Sequence, residues 1–83
     1  VVAADAQGST CTLTFDRPMV LTGAPADDSI TFDDQIATAV VNVSPTTLEF
    51  TLPSGVSPGS QWVIGAQPPW IATPVTAPAS GNF

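Results

Sequence analysis

Histidine, lysine and tyrosine are missing from the sequence, and cysteine and arginine occur once each, as Cys11 and Arg17. One cysteine permits no intrachain disulfide, and without histidine a zinc site of the usual Cys/His kind is excluded. A serine or cysteine nucleophile needs a base beside it, and the usual base is absent. Arg17 stands alone against Asp5, Asp16, Asp27, Asp28, Asp33, Asp34 and Glu49, a net charge of −6. Nucleic acid is bound by several Lys or Arg side chains that release counterions from phosphates, and anionic membranes make the same demand, so neither is expected as a direct partner. The acidity reads as solubility and self-repulsion. No apolar run approaches the ~20 residues of a membrane-spanning helix. No basic segment followed by an apolar one marks a signal peptide. The chain is then either an excised or processed piece of a secreted protein or a small protein that lost only its initiator Met, and the sequence leaves both open.

Eighty-three residues make one domain, at the small end of what folds alone. With no disulfide or zinc to support it, the chain needs a compact core, packing against neighbours, or both. The clearest pattern runs from Thr46 to Ile64. Thr47, Glu49 and Thr51 alternate with Leu48, Phe50 and Leu52, the period of a strand with one wet and one apolar face. Pro53, Gly55, Pro58 and Gly59 break that run before Gln61–Ile64 starts another extended segment. Ser9–Asp16 repeats the alternation, with Cys11, Leu13 and Phe15 facing inward. Cys11 there acts as a small core hydrophobe, since no Lys or His is present to activate its thiol.

Pro18 ends that strand, and Gly23 to Asp28 reads as a loop with room for one helical turn opened by Pro25. Ser29–Phe32 is a brief strand and Asp33–Asp34 a turn. Ile36–Val43 carries apolar residues on both faces, which predicts a strand covered twice, once by the core and once by something else. Val1–Gly8 reads as an edge strand or mobile arm, 9–66 as the β domain, and 67–83 as a Pro-rich C-terminal arm too poor in apolar residues to order itself. No long helix is predicted, so the fold class is all-β, a small antiparallel sandwich with an extended arm.

TLTFDRPM at Thr12–Met19, TTLEFTL at Thr46–Leu52 and GVSPGSQWVI at Gly55–Ile64 resemble the bacterial Ig-like domains found as tandem repeats in cell-surface, S-layer and adhesin proteins, and also in phage virions. The resemblance covers Thr10–Ile64 and implies an Ig-like β-sandwich without enzymatic activity. Gln67–Ile71 departs from it: two prolines stand where a last regular strand is expected, so that strand is shortened, moved or supplied by another chain. Relatives of this sandwich that bind copper use His and Met ligands, and the lack of His keeps that activity from carrying over.

The remaining candidates for chemistry are few. Paired carboxylates serve glycoside hydrolysis only across a cleft, and here the acids fall on turns. Asp27–Asp28 and Asp33–Asp34 are turn formers, with Ca²⁺ binding as the alternative. Asn42–Ser44 matches a glycosylation acceptor but lies in a strand. No catalytic residue, metal or cofactor is assigned. Trp70 follows Pro68–Pro69 outside any alternation and is either a docking anchor or a plug folded back into the open end of the sandwich. Trp70, Ile71 and Phe83, with Val1 and Val2 behind them, are the candidate interface. The expected partners are other protein subunits of a large assembly, copies of this chain included. The expected setting is a phage virion, as a capsid decoration or accessory protein, or alternatively a bacterial surface or extracellular layer.

Overall fold

Side chains that alternate between apolar and polar put period-2 segments on two-faced sheets. The computed structural model, which describes residues 1–83, accordingly contains strands and no helix. The strands are β1 (Ala3–Gln7), β2 (Thr10–Thr14), β3 (Ile30–Phe32), β4 (Ala39–Ser44), β5 (Thr47–Thr51), β6 (Gln61–Ile64) and β7 (Ala79–Asn82). They form two antiparallel sheets: sheet 1 in the order β1-β2-β5-β4 and sheet 2 in the order β3-β6-β7.

The core lies between the sheets. In sheet 1, Cys11 pairs with Phe50 and Leu13 with Leu48; in sheet 2, Ile30 pairs with Ile64 and Phe32 with Trp62. All eight side chains are buried, and each large one contributes about 1.5–3 kcal/mol by leaving water. The layers meet where the Phe32 and Phe50 rings approach to 4.7 Å between centroids, tilted by 49°, a favourable aromatic geometry. No buried side-chain nitrogen or oxygen is left without a partner.

The two strands of Thr46–Ile64 form where the alternation puts them, but in different sheets. Pro53 and Pro58 deny the connecting segment a ladder of its own. It crosses to the other layer instead, its Leu52 and Val56 N–H groups bonding Ser9 and Gly8 carbonyls at 2.8 Å each and both side chains buried. Gly8, at φ +62°, opens the tight β1–β2 turn that presents those carbonyls.

Two segments depart from expectation, and Val1–Gly8 takes one of the two forms expected of it. Gly23–Asp28 has no helical turn. The strand expected over Ile36–Val43 spans Ala39–Ser44 and is not covered twice. It is an edge strand in which only Val40 packs on the core, while Val41 and Val43 are exposed. A bulge between Asn42 and Ser44 ends its regular pairing with β5. Val1–Gly8 resolves as an edge strand rather than a mobile arm, β1, paired along its length with β2.

The largest correction concerns the C-terminal arm, 67–83. Its end is a strand, β7, with Gln61 opposite Asn82 and Ile64 opposite Ala79. An edge strand is held by backbone hydrogen bonds to its neighbour, so Ala-Ser-Gly-Asn can form one without an apolar face of its own. The approach to β7 is fastened by one side chain. Gln67 Nε2 donates to the carbonyls of Ile71 (3.0 Å) and Thr73 (3.1 Å), and its Oε1 accepts from Val75 N–H at 2.8 Å.

Candidate functional site

The candidate interface residues separate into buried and exposed. Trp70 and Ile71 are only 4% and 3% exposed. The Trp70 ring meets Phe50 edge-on at 6.2 Å, its carbonyl accepts from Thr22 N–H at 3.0 Å, and Ile71 bridges to Leu21. The indole Nε1 donates to Asp27 Oδ1 at 3.3 Å. Of the two readings left open for Trp70, the inward one describes this arrangement. Pro68–Pro69 turns the chain back on itself, and a ring this large lowers its free energy most where it reaches apolar partners while its N–H keeps one polar partner. Phe83 is half-buried, stacked on Phe32 at 6.1 Å and 29°, and its backbone is tied to Gly59 and Ser60.

Val1 and Val2 alone stay at the surface, 38% and 65% exposed, with Val2 N–H extending the β1–β2 ladder to Thr14 at 2.7 Å. They do not join Trp70, Ile71 and Phe83 in one patch. Instead they line an open groove of about 180 Å³ with Phe15, Arg17, Met19 and Val75. Arg17 at its rim binds its neighbour Asp16, Nε to Oδ1 at 3.0 Å, with both side chains more than half exposed. Arg17 holds the Asp16 carboxyl below its ordinary value, but a pair so solvated contributes little.

The acidic pairs sit at opposite ends of the molecule. Ser29, two residues past Asp27, accepts from Gly65 N–H just beyond β6. Asp33 N–H bonds Gln61 at the start of β6. Asp27 Oδ1 also accepts from Ser29 N–H at 3.1 Å. Hydrogen bonding from the Ser29 side chain, then its backbone, holds the Asp27 carboxyl below 3.8, with Trp70 adding to the effect. Asp33 and Asp34 have φ of 50° and 62° and form a two-residue turn in which Phe32 and Gln35 exchange both backbone hydrogen bonds. Asp tolerates this left-handed backbone better than most residues. No group of three or more acidic, Cys or His side chains gathers around a common point.

On the outer face of sheet 1, Asp5, Thr12 and Glu49 stand in one row across β1, β2 and β5. That sets the backbones of Asp5 and Glu49 two strand spacings, roughly 9.5 Å, apart. Both residues line an open concavity of about 240 Å³ on this sheet face, together with Gln7, Thr10 and Thr12. Asn42 is exposed, and its Nδ2 donates to the Met19 and Ser44 carbonyls. Cys11 is 1% exposed, and burial pushes its thiol up to about 12.

Two features lay outside the expected interface. Gln67, which organises the loop, is signalled only by standing next to a Pro-Pro pair. The exposed apolar stretch along β4 does carry a signal, the apolar residues on both strand faces. No protein-family model matches the chain, and no curated protein or solved structure matches it either.

Proposed function

We propose that the chain is a non-enzymatic structural module of the Ig-like class, held by neighbouring protein subunits of a larger assembly. The observation that carries the reading is strand order. Lettered A to G along the chain, sheet 1 runs A-B-E-D and sheet 2 runs C-F-G, the arrangement of a constant-type immunoglobulin sandwich. That order agrees with the motifs at Thr12–Met19, Thr46–Leu52 and Gly55–Ile64. The chemistry agrees with a structural role: histidine, the usual base beside a nucleophile, is missing from the composition, and Asp27, Asp28, Asp33 and Asp34 fall on turns and loops.

Two settings fit such a module, a capsid decoration or accessory subunit of a phage virion and one repeat of a bacterial surface, S-layer or adhesin protein. The test is electron microscopy of the native assembly. Many symmetric copies lying flat on a shell support decoration, and a thread of like domains joined pole to pole supports the repeat. A solitary protein turning over a small molecule would refute both.

A further inference from the structure

Of the four edge strands, β7 is the one the fold holds least. β1 and β4 are joined to their neighbours by the two-residue turns Gly8–Ser9 and Pro45–Thr46, and β3 buries Ile30 and Phe32. β7 supplies no residue to the fully buried core and is separated from β6, its one neighbour, by residues 65–78. Gln67 and the packing of Val75 fix that connection as far as Val75. Beyond it, Thr76, Ala77 and Pro78 make no backbone hydrogen bond. Local opening starts where few apolar contacts hold an element, so β7 is the strand placed to leave while the rest stays folded.

The seat it occupies is selective. Ala79, Gly81 and Phe83 turn inward, and Ser80 and Asn82 outward. A Cβ at position 81 would stand 2.7 Å from Trp62 Cζ2, so the seat takes glycine there. Two positions on, Phe83 stacks on Phe32 at 6.1 Å; its N–H donates to the Ser60 carbonyl and its own carbonyl accepts from Gly59 N–H. No other glycine in the chain has an aromatic residue two positions on. Ala79–Phe83 is therefore the one segment of this chain that fits.

We propose that the β6 edge is a strand-exchange site, and that its second occupant is the Ala79–Phe83 segment of another copy of this chain, each copy seating its segment in the other. The occupant is shown by the fold itself, since every contact β7 makes in its own seat is available to it in the seat of an identical copy. Exchange of this kind needs no new complementary surface; what opposes it is association. A strand tethered to its own seat competes at an effective concentration of about 1 mM, so exchange sets in as the chain approaches that concentration or as an assembly holds copies side by side.

The inference rests on the reading of the chain as a held module and deepens it by naming how one copy holds the next, while its test uses the isolated chain. Gly81→Ala should weaken the chain's own strand about tenfold. A synthetic peptide of residues 76–83, added to that variant at about 1 mM, should then take the seat, restore most of the lost Tm and slow hydrogen exchange at Gln61–Ile64. The same peptide carrying Gly81→Ala should do neither. The wild-type chain supplies a readout that needs no variant to fold. Its sedimentation should show the 8.4 kDa monomer giving way to a dimer near about 1 mM. In that dimer, NMR on an equal mixture of two differently labelled chains should find Gly81 of one copy against Trp62 of the other. A peptide that restores nothing, two peptides that act alike, a wild-type chain that stays monomeric, or a dimer in which Gly81 meets only its own Trp62 would each overturn the proposal. All of these leave the module reading to be judged by microscopy.

Discussion

Replacing Gly81 with alanine asks whether the C-terminal segment is a seated strand or a tether. Gly81 lies opposite Trp62 in the β6–β7 register. A methyl group there would stand 2.7 Å from Cζ2 and 2.9 Å from both Cε2 and Nε1 of the indole, well inside the roughly 3.5–4.0 Å at which carbon atoms attract. The indole has little room to retreat, because Trp62 is itself in the core. Two terms oppose each other. Restricting the unfolded chain by Gly→Ala stabilises by about 0.4–1 kcal/mol, and overpacking a close-packed site costs about 1–3 kcal/mol. The clash dominates, leaving a net loss of about 1–2 kcal/mol. For a domain of this size each kcal/mol moves Tm by about 4–8 °C, so thermal unfolding followed by circular dichroism should show a drop of about 4–16 °C. Trp62→Leu removes all three struck atoms, so in that background Gly81→Ala should be neutral or stabilising, and the double-mutant cycle should return a coupling of about 1–3 kcal/mol. A tether behaves differently, since alanine in a disordered arm meets nothing. If Gly81→Ala leaves Tm unchanged or raises it in the wild-type chain, β7 is not seated against Trp62 and the reasoning fails.

Trp70→Ala should cost about 3–5 kcal/mol, a large part of the roughly 4–12 kcal/mol available to a chain of this length; a melting temperature that hardly moves would put the indole outside the core. Asp27 has a folded pKa below its ordinary 3.8, so its stabilisation is complete above that value and is lost as pH falls through the lower folded value. Asp27→Asn should therefore flatten the acid limb of a Tm-against-pH curve below about pH 4, and an unchanged limb would count against the Ser29 and Trp70 contacts. The Cys11 thiol, pushed up to about 12 by burial, should resist a disulfide reagent until urea unfolds the chain; prompt labelling under native conditions would contradict its place on β2.

Much of the fold was legible because a strand with one buried face records that fact residue by residue. Cys11 and Leu13, Leu48 and Phe50, Trp62 and Ile64 all stand where the alternation puts them. The apolar doubling over Ile36–Val43 was legible too, although its meaning changed: the extra valines mark an open edge rather than a strand covered twice. The candidate site was far less readable. Trp70 and Ile71 follow two prolines and share no period with their neighbours, so nothing local shows whether they turn inward. What holds Trp70 inside is Phe50, Thr22 and Asp27, residues distant in the chain. β7 was unreadable for a related reason, since its sequence lacks the apolar face that marks β2 or β5.

From the sequence alone come the all-β class, the faces of β2, β3, β5 and β6, the fate of Cys11 and the lack of the commonest catalytic and zinc-binding side chain. These are local consequences of a period of two and of residue types present or missing. Tertiary structure alone decides that β5 and β6 part into different sheets, that Trp70 turns inward, that Ala79–Asn82 closes sheet 2, and that β4 is left open on one side. Each of these depends on which distant segment a strand finds as its neighbour, and backbone hydrogen bonds, which make that choice, are the same whatever side chain they carry.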